Sequence, residues 1–349
     1  MGDCWGVTWA TLILVVAAAA APLIPLDFVS GRLMAHARSL WLLGLLTVGI
    51  VWVAQYELWL ALIGLCFLCR WPRHTDPPSL LPSLIQWIAV GTTWGLLLQM
   101  PAWGWRWLPW AWLAVAGWQS VQIAARRLVH GGRQKGTMGS PVITALYLAL
   151  VSPFCPAWGW PVLGAGLGLI WSYTAFLGVG MGLVWLYPSW WPLGVAAALT
   201  GALLWCWSPV VWGNRLLEHT PRGDTIDSVI SRWRGWQLIC HHGTERWLLG
   251  HGPNSMEPAL LRWGSRYDIE LTWGEGFNEG LQVYYEYGLL GILAIVAFMG
   301  RVIPHLTLGD PWSAAWLVGG VLAMSHWPLR HASIGLVWLA IGAHLAHGG

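Results

Sequence analysis

The chain has 349 residues, of which 56% are hydrophobic and only 9% are charged. A soluble globular domain carries about 25% charged residues, so this composition excludes a surface that faces water throughout. The net charge of +3 identifies no partner, and nothing in the sequence points to nucleic acid. Apolar runs of about 20 residues, the length that spans a bilayer, recur from end to end. The composition therefore predicts an all-α, polytopic membrane protein.

The apolar runs predict eleven or twelve transmembrane helices. The first run has no basic segment before it and is interpreted as a membrane helix, not a cleaved signal. Residues 159–188 are rich in glycine and fit either one long tilted helix or two short ones around SYTAFLG. The runs lie near residues 6–27, 39–54, 57–71, 82–100, 107–124, 141–157, 160–174, 177–188, 192–212, 281–300, 312–328 and 332–347.

Residues 213–280 break this pattern, because they hold most of the polar chemistry of the chain. They divide it into transmembrane helices 1–9 in residues 1–212, one large loop, and C-terminal transmembrane helices in residues 281–349. The aromatic and aliphatic content of the loop predicts a folded, partly helical cap with a helix through residues 227–241. Twelve spans with a cytoplasmic N-terminus place the loop outside, although several arginines then lie outside as well, against the positive-inside rule.

Several polar residues have a structural interpretation that needs no chemistry. Asn278 is placed to cap the helix that follows it, and His251 lies in a turn built by glycines and a proline. His241 and His242 are adjacent and are interpreted as a solvated pair. Glu286 falls inside an apolar run, where a carboxylate is costly unless it faces protein or a cavity. We expect it to brace the loop or to bind substrate. The six cysteines lie mostly in apolar runs, and the CxxC-spaced pair in LCFLCRW is interpreted as small buried thiols, not a metal or redox site.

Four stretches carry recognisable patterns. GTMGSPVITALYLALVSPF (136–154) is similar to a glycine–asparagine–proline start of a membrane helix, and DSVISRWRGWQLICHHGTERWLLGHGPNSM (227–256) looks like an arginine–tryptophan helix followed by a GxG turn. GEGFNEGLQVYYEYGLLG (274–291) is similar to a His-Asn-x-x-Leu-Gln motif that leads into Glu-x-Gly-Leu-x-Gly. SHWPLRHASIGLVWLAIGA (325–343) is like a Pro-Leu-Arg motif that opens the last span. In this order and spacing, the chain resembles the O-antigen ligase and polysaccharide polymerase family of bacterial envelope proteins.

The resemblance implies a glycosyltransferase of the cytoplasmic membrane. Such an enzyme moves a glycan from a polyprenyl diphosphate to a hydroxyl of a second glycan or a lipid, outside the membrane and without metal or cofactor. A diphosphate leaving group needs fixed cations, and an acceptor hydroxyl needs a positioned base. The catalytic candidates are Arg232, Arg330, Glu279 and Glu275. The candidates for substrate binding are Arg234, His251, Asn278 and Glu286.

The chain departs from the family pattern at two points. Phe277 stands where the family usually carries histidine, and SYTAFLG lacks the arginine that often follows the seventh span. Either the base role has moved to Glu279, Glu275 or His251, or the chain binds glycan-lipids without turnover. A transporter or flippase for lipid-linked sugars is the main alternative function, and a scaffold for an envelope assembly is the third.

Overall fold

The structure, a computed structural model, describes residues 90–91, 93–130, 141–170, 172–190, 222–267, 278–325 and 332–347. Within these ranges the chain is helical and contains no strand. Short 3₁₀ segments extend several of the helices. In chain order, the α-helices are α1 (Ala102–His130), α2 (Pro141–Val151), α3 (Trp160–Ile170), α4 (Tyr173–Leu186), α5 (Arg222–Gly243), α6 (Met256–Tyr267), α7 (Glu279–Val302), α8 (Pro311–Ser325) and α9 (Ala332–Ala346).

The helix α2 lies at the centre of the main core. Its sequence, PVITALYLALV, is apolar all round, which is typical of a helix with neighbours on every side. Proline at its first position has no N–H to lose there. All residues from Thr144 to Val151 are buried, and the helix contacts α1, α3, α4, α8 and α9. The hydroxyl of Tyr147 donates a hydrogen bond to the Trp112 carbonyl at 3.0 Å and so ties α2 to α1.

Residues 159–188 form two short helices, so the second of the two sequence interpretations is confirmed. They are α3 and α4, and the chain between them leaves the helical conformation at Ser172. The Ser172 side chain caps α4 by accepting a hydrogen bond from the Ala175 amide at 3.5 Å. The hydroxyl therefore satisfies one of the free amides at the start of the second helix.

The buried apolar residues form two clusters. The large cluster joins α1–α4, α8 and α9 with most of α7. The small cluster holds the helices of the long loop against the start of α7. It comprises Ile239, Met256, Ala259, Leu260, Trp263 and Tyr285. The loop is thus folded where the structure describes it, and α5 confirms the helix predicted through residues 227–241.

One helix in the described part of the chain is long and apolar enough to cross a membrane, and it runs from Glu279 to His305. Five shorter apolar helices have 13 or 14 residues each. They are Pro141–Phe154, Ala157–Ile170, Thr174–Leu186, Pro311–Met324 and Ile334–Ala346. The predicted spans before residue 90 and near 192–212 lie outside the described residues.

Candidate functional site

The helix α5 places the two loop arginines on different faces. Arg232 is half-buried, and Trp236, one turn further on, is half-buried as well. Gly235 and Ile239 on the same side are buried against the neighbouring elements. Arg234 is exposed. Burial lowers the pKa of the Arg232 guanidinium, although an arginine remains charged in proteins. Of the two, only Arg232 combines a fixed charge with a partly dry environment.

The start of α7 brings together Asn278, Glu279, Gln282 and Glu286. Asn278 is the N-cap, as predicted: its side-chain oxygen accepts a hydrogen bond from the Leu281 amide at 2.9 Å. Its amide nitrogen donates to the Met324 carbonyl at 3.0 Å. Because Met324 lies in the last turn of α8, this bond satisfies a carbonyl that the helix itself leaves open. One side chain therefore connects the beginning of α7 to the end of α8.

Three polar side chains of α7 are buried along one face of the helix. Glu279, Gln282 and Glu286 are spaced by three and four residues, and such positions share a face. Each is less than a tenth exposed. The Gln282 amide donates to a carboxylate oxygen of Glu286 at 3.2 Å. The sequence analysis missed Gln282, although its position four residues before Glu286 in LQVYYE is a signal for this contact.

The helix α7 is broken at Gly288, where φ is 65° and ψ is −153°. The turn of residues 247–252, here called the bridging turn, fills the break with four backbone hydrogen bonds. His251 N–H and Gly252 N–H donate to the carbonyls of Tyr285 and Glu286 at 2.8 and 2.9 Å. Leu289 N–H and Leu290 N–H donate to the carbonyls of Trp247 and Leu248 at 2.7 and 3.3 Å. The bridging turn thus supplies partners on both sides of the break.

Two glycines allow this close approach of backbones. A Cβ on Gly250, which has a φ of +67°, would lie 2.4 Å from the carbonyl carbon of Glu286. A Cβ on Gly288 would lie 2.5 Å from the carbonyl carbon of Leu248. Atoms do not approach backbone this closely, and a positive φ of this kind strains any other residue. The loop and α7 therefore fit together only with glycine at both positions.

His251 fixes the bridging turn on α7. Its ring stacks on Tyr285, with the ring centres 4.3 Å apart. Its Nε2 lies 2.9 Å from the His242 carbonyl. A carbonyl only accepts, so Nε2 carries the proton. His251 thus holds the turn through its ring and its backbone N–H together.

His241 and His242 do not form the solvated pair that the sequence suggested. His241 is exposed, whereas the ring of His242 stacks on Trp263 at 4.6 Å and is only 17% exposed. Its Nδ1 lies 2.7 Å from a carboxylate oxygen of Glu245. This hydrogen bond lowers the pKa of the Glu245 carboxyl group. The difference arises because α5 turns one side toward α6, which a neighbouring pair in a sequence does not reveal.

The remaining candidates lie outside the described residues. They are Glu275 and Arg330, and the same is true of Phe277. The prediction that Arg232 and Arg330 face one cavity stays a prediction. Among the residues that the structure describes, no three His, Cys, Asp or Glu side chains are arranged to hold a metal ion.

Neither the known protein families nor the curated proteins contain a match to this chain. The roles of the site residues therefore rest on their geometry and on the sequence motifs.

Proposed function

We propose that this chain is a polytopic protein of the cytoplasmic membrane that transfers a glycan from a polyprenyl diphosphate carrier to a glycan or lipid hydroxyl. The long loop lies outside the membrane, and the reaction requires no metal. Arg232 stabilises the diphosphate as it leaves, with Arg330 as the second cation. Glu279 takes the proton of the acceptor hydroxyl, and Glu275 is the alternative base.

The apolar surface of the described helices supports the membrane location. Large apolar side chains are exposed on several of them; for example, Leu177 on α4 is 58% exposed, Val296 on α7 is 59% exposed and Met324 on α8 is 69% exposed. Single exposed apolar residues are normal on soluble proteins. Here they lie on helices that carry hardly any charge between their ends, and such helices gain by facing lipid.

The position of Arg232 is the observation that carries the chemical part of the proposal. Its guanidinium is partly desolvated on the inner side of α5, and desolvation strengthens the attraction between a fixed cation and a developing anion. The planar guanidinium matches phosphate oxygens in pairs. Arg234, on the exposed side of the same helix, has neither the burial nor the rigid surroundings.

Glu279 suits the role of base because its position is fixed. It is the first residue of α7, directly after the N-cap, and its side chain is only 6% exposed. A catalytic carboxylate has to lie within hydrogen-bond reach of the acceptor hydroxyl, which a side chain on a capped helix end can maintain. Gln282 and Glu286, buried on the same face and bonded to each other, brace this end of the helix.

The break in α7 favours a transporter as the second candidate. Transporters of lipid-soluble or polar substrates often bind them at interrupted helices, whose free backbone groups contact the substrate. In this chain, however, the bridging turn already bonds the backbone groups on both sides of Gly288. The break is therefore closed by protein, and an enzyme with a rigid loop explains it better.

The test supplies purified full-length protein with the polyprenyl-diphosphate-linked glycan of the native host and an acceptor, and measures transfer. We expect Arg232→Ala to lower the rate about a hundredfold, the typical effect of removing one charge-stabilising group. Arg232→Lys should not restore the rate, because it lacks the planar fork. Arg234→Ala is the matched control on the same helix and should have a much smaller effect.

Specific outcomes of this assay would contradict the roles proposed for Arg232, Glu279 and Glu275. Full transfer by Arg232→Ala removes this residue from the mechanism. Full transfer by both Glu279→Gln and Glu275→Gln places the base elsewhere. If the wild type binds the carrier without transfer and Phe277→His gains transfer, the chain is a non-catalytic glycan-lipid-binding protein.

A further inference from the structure

The break at Gly288 divides α7 into an inner half, in which Val283 and Tyr287 pack in the large cluster and other residues in the small one, and an outer half that packs in the large cluster. In the inner half, Leu281 and Tyr285 pack in the small cluster together with the loop helices. In the outer half, Leu290, Ala294 and Val302 pack in the large cluster. The outer half from Leu289 to Val302 has 14 residues, the same length as the shorter apolar helices around it.

The outer half also exposes a stripe of apolar side chains. Leu289, Leu293 and Val296 are 37%, 43% and 59% exposed. They are spaced by four and three residues, so they lie along one face. Between Leu289 and Gly300 the helix has no charged residue, and Arg301 follows directly. The outer half of α7 is therefore apolar along its whole length up to Arg301.

The bridging turn contacts Leu289, the first residue of this stripe. Trp247 and Leu248 are 55% and 45% exposed, and their carbonyls are bonded to the amides of Leu289 and Leu290. The residue before them, Arg246, is exposed. The neighbouring acid, Glu245, is bonded to His242. Backbone hydrogen bonds therefore hold Trp247 and Leu248, with Arg246 directly before them in the chain, next to the first residues of the stripe.

The irregular backbone of the bridging turn indicates how deep in the bilayer this turn lies. Loops that face lipid do not occur within the hydrocarbon, because no water is present to bond their backbone groups. Trp247 and Leu248, the first two residues of this turn, are exposed, which favours a position of the turn at the boundary over one at mid-depth. Tryptophan and arginine are the residues that proteins place at that boundary.

We propose that Arg246, Trp247, Leu248, Leu289, Leu293 and Val296, here called the lipid face, bind an anionic phospholipid of the bilayer. Arg246 binds the phosphate group, Trp247 lies at the headgroup level, and the acyl chain follows the stripe on α7. The lipid face begins at the break, and Glu279, Gln282 and Glu286 lie before it on α7. This inference rests on the membrane location proposed above but not on glycan transfer.

Photocrosslinking tests the apolar part of the lipid face. The full chain, with p-benzoylphenylalanine in place of Leu293 or Val296, is reconstituted in nanodiscs of phosphatidylcholine and phosphatidylglycerol and irradiated. We expect lipid adducts at both positions. Leu177, exposed on α4, is the positive control for a bilayer position, and Gln237, exposed on α5, should give no lipid adduct.

The control positions distinguish the lipid face from the membrane location on which it rests. One contradicting outcome is a lipid adduct at Leu177 together with adducts to a second protein copy at Leu293 and Val296. This outcome would overturn the lipid face but not the membrane location. No lipid adduct at any of the three positions would overturn both.

Lipid retention tests the headgroup contact. We expect Arg246→Gln to retain phosphatidylglycerol roughly fivefold less than the wild type in native mass spectrometry, since one arginine near a membrane surface contributes about that factor. Phosphatidylcholine retention should be unchanged. Arg234→Gln, which removes an exposed arginine elsewhere in the loop, should behave like the wild type. Equal phosphatidylglycerol retention by Arg246→Gln and the wild type would remove Arg246 from the lipid face.

Discussion

Gly288 occupies a backbone conformation that side chains do not tolerate, with φ at 65° and ψ at −153°. We expect Gly288→Ala to destabilise the protein by about 3 kcal/mol, because this region of the backbone map costs up to that amount for other residues. The added Cβ would also meet the backbone of Leu248. Thermal unfolding in detergent, followed by circular dichroism, measures the change.

Gly300 is the matched control for that substitution. It lies on the same helix, and a Cβ there would meet no atom within 4 Å. Gly300→Ala should therefore change the stability by no more than about 0.5 kcal/mol, as exposed substitutions usually do. Equal thermal unfolding midpoints for Gly288→Ala and Gly300→Ala would show that the break in α7 does not depend on glycine.

Asn278 makes two hydrogen bonds that can be separated by substitution. Asn278→Ser keeps an oxygen for the Leu281 amide but has no amide group for the Met324 carbonyl. Asn278→Ala loses both hydrogen bonds, and the loss of the cap alone should lower the free energy of unfolding by about 1 kcal/mol. We expect the order of stability to be wild type, Ser, Ala. A serine variant no more stable than the alanine variant would mean that the cap contributes nothing.

At the scale of elements, the sequence predicted most of the helices that the structure describes, but neither α6 nor the break in α7. The run near residues 281–300 gave a single span, because Gly288 within YYEYGLLG looks like any glycine in an apolar helix. The break depends on the bridging turn, which lies about 40 residues earlier in the chain and supplies the backbone partners. A pattern within one segment carries no information about such a partner. The N-cap at Asn278 was predictable, since it depends only on neighbouring residues.

Hydrogen exchange measures how firmly the bridging turn holds α7. The amides of His251, Gly252, Leu289 and Leu290 are bonded across the break, so we expect their exchange to be as slow as in the interiors of the helices. Gly250→Ala should accelerate exchange at these amides while leaving α2 protected, because the added Cβ would meet Glu286. Fast exchange at the turn in the wild type would contradict a rigid joint between loop and helix.

At the scale of the whole molecule, α7 belongs to both hydrophobic clusters and joins the loop to the apolar helices. The motifs correctly singled out the stretch in which this happens, since Asn278, Glu286 and Gly288 all belong to GEGFNEGLQVYYEYGLLG. They placed Arg232 before Arg234 as a catalytic candidate, but they did not predict the difference in burial, because that difference arises only when α5 packs one side on its neighbours. They also missed Gln282, although its partner Glu286 lies on the same helix, and Arg246, whose position next to α7 depends on the bridging turn.

The orientation of the molecule can be tested with a cysteine that is already present. Cys240 is exposed on α5, in the loop that the proposed function places outside the cytoplasmic membrane. We expect a membrane-impermeant maleimide to label Cys240 in intact cells whose outer barrier has been opened. Cys240→Ser identifies the labelled site, because the chain has five other cysteines.

Labelling of Cys240 only after the cytoplasmic membrane is permeabilised would place the loop inside the cell. A carrier-linked glycan on the outer face could then not reach Arg232, and the proposed transfer reaction would be wrong. The arrangement of the arginines would in that case follow the positive-inside rule. The lipid face would not be affected, since its contacts with a phospholipid do not depend on which side of the membrane the loop occupies.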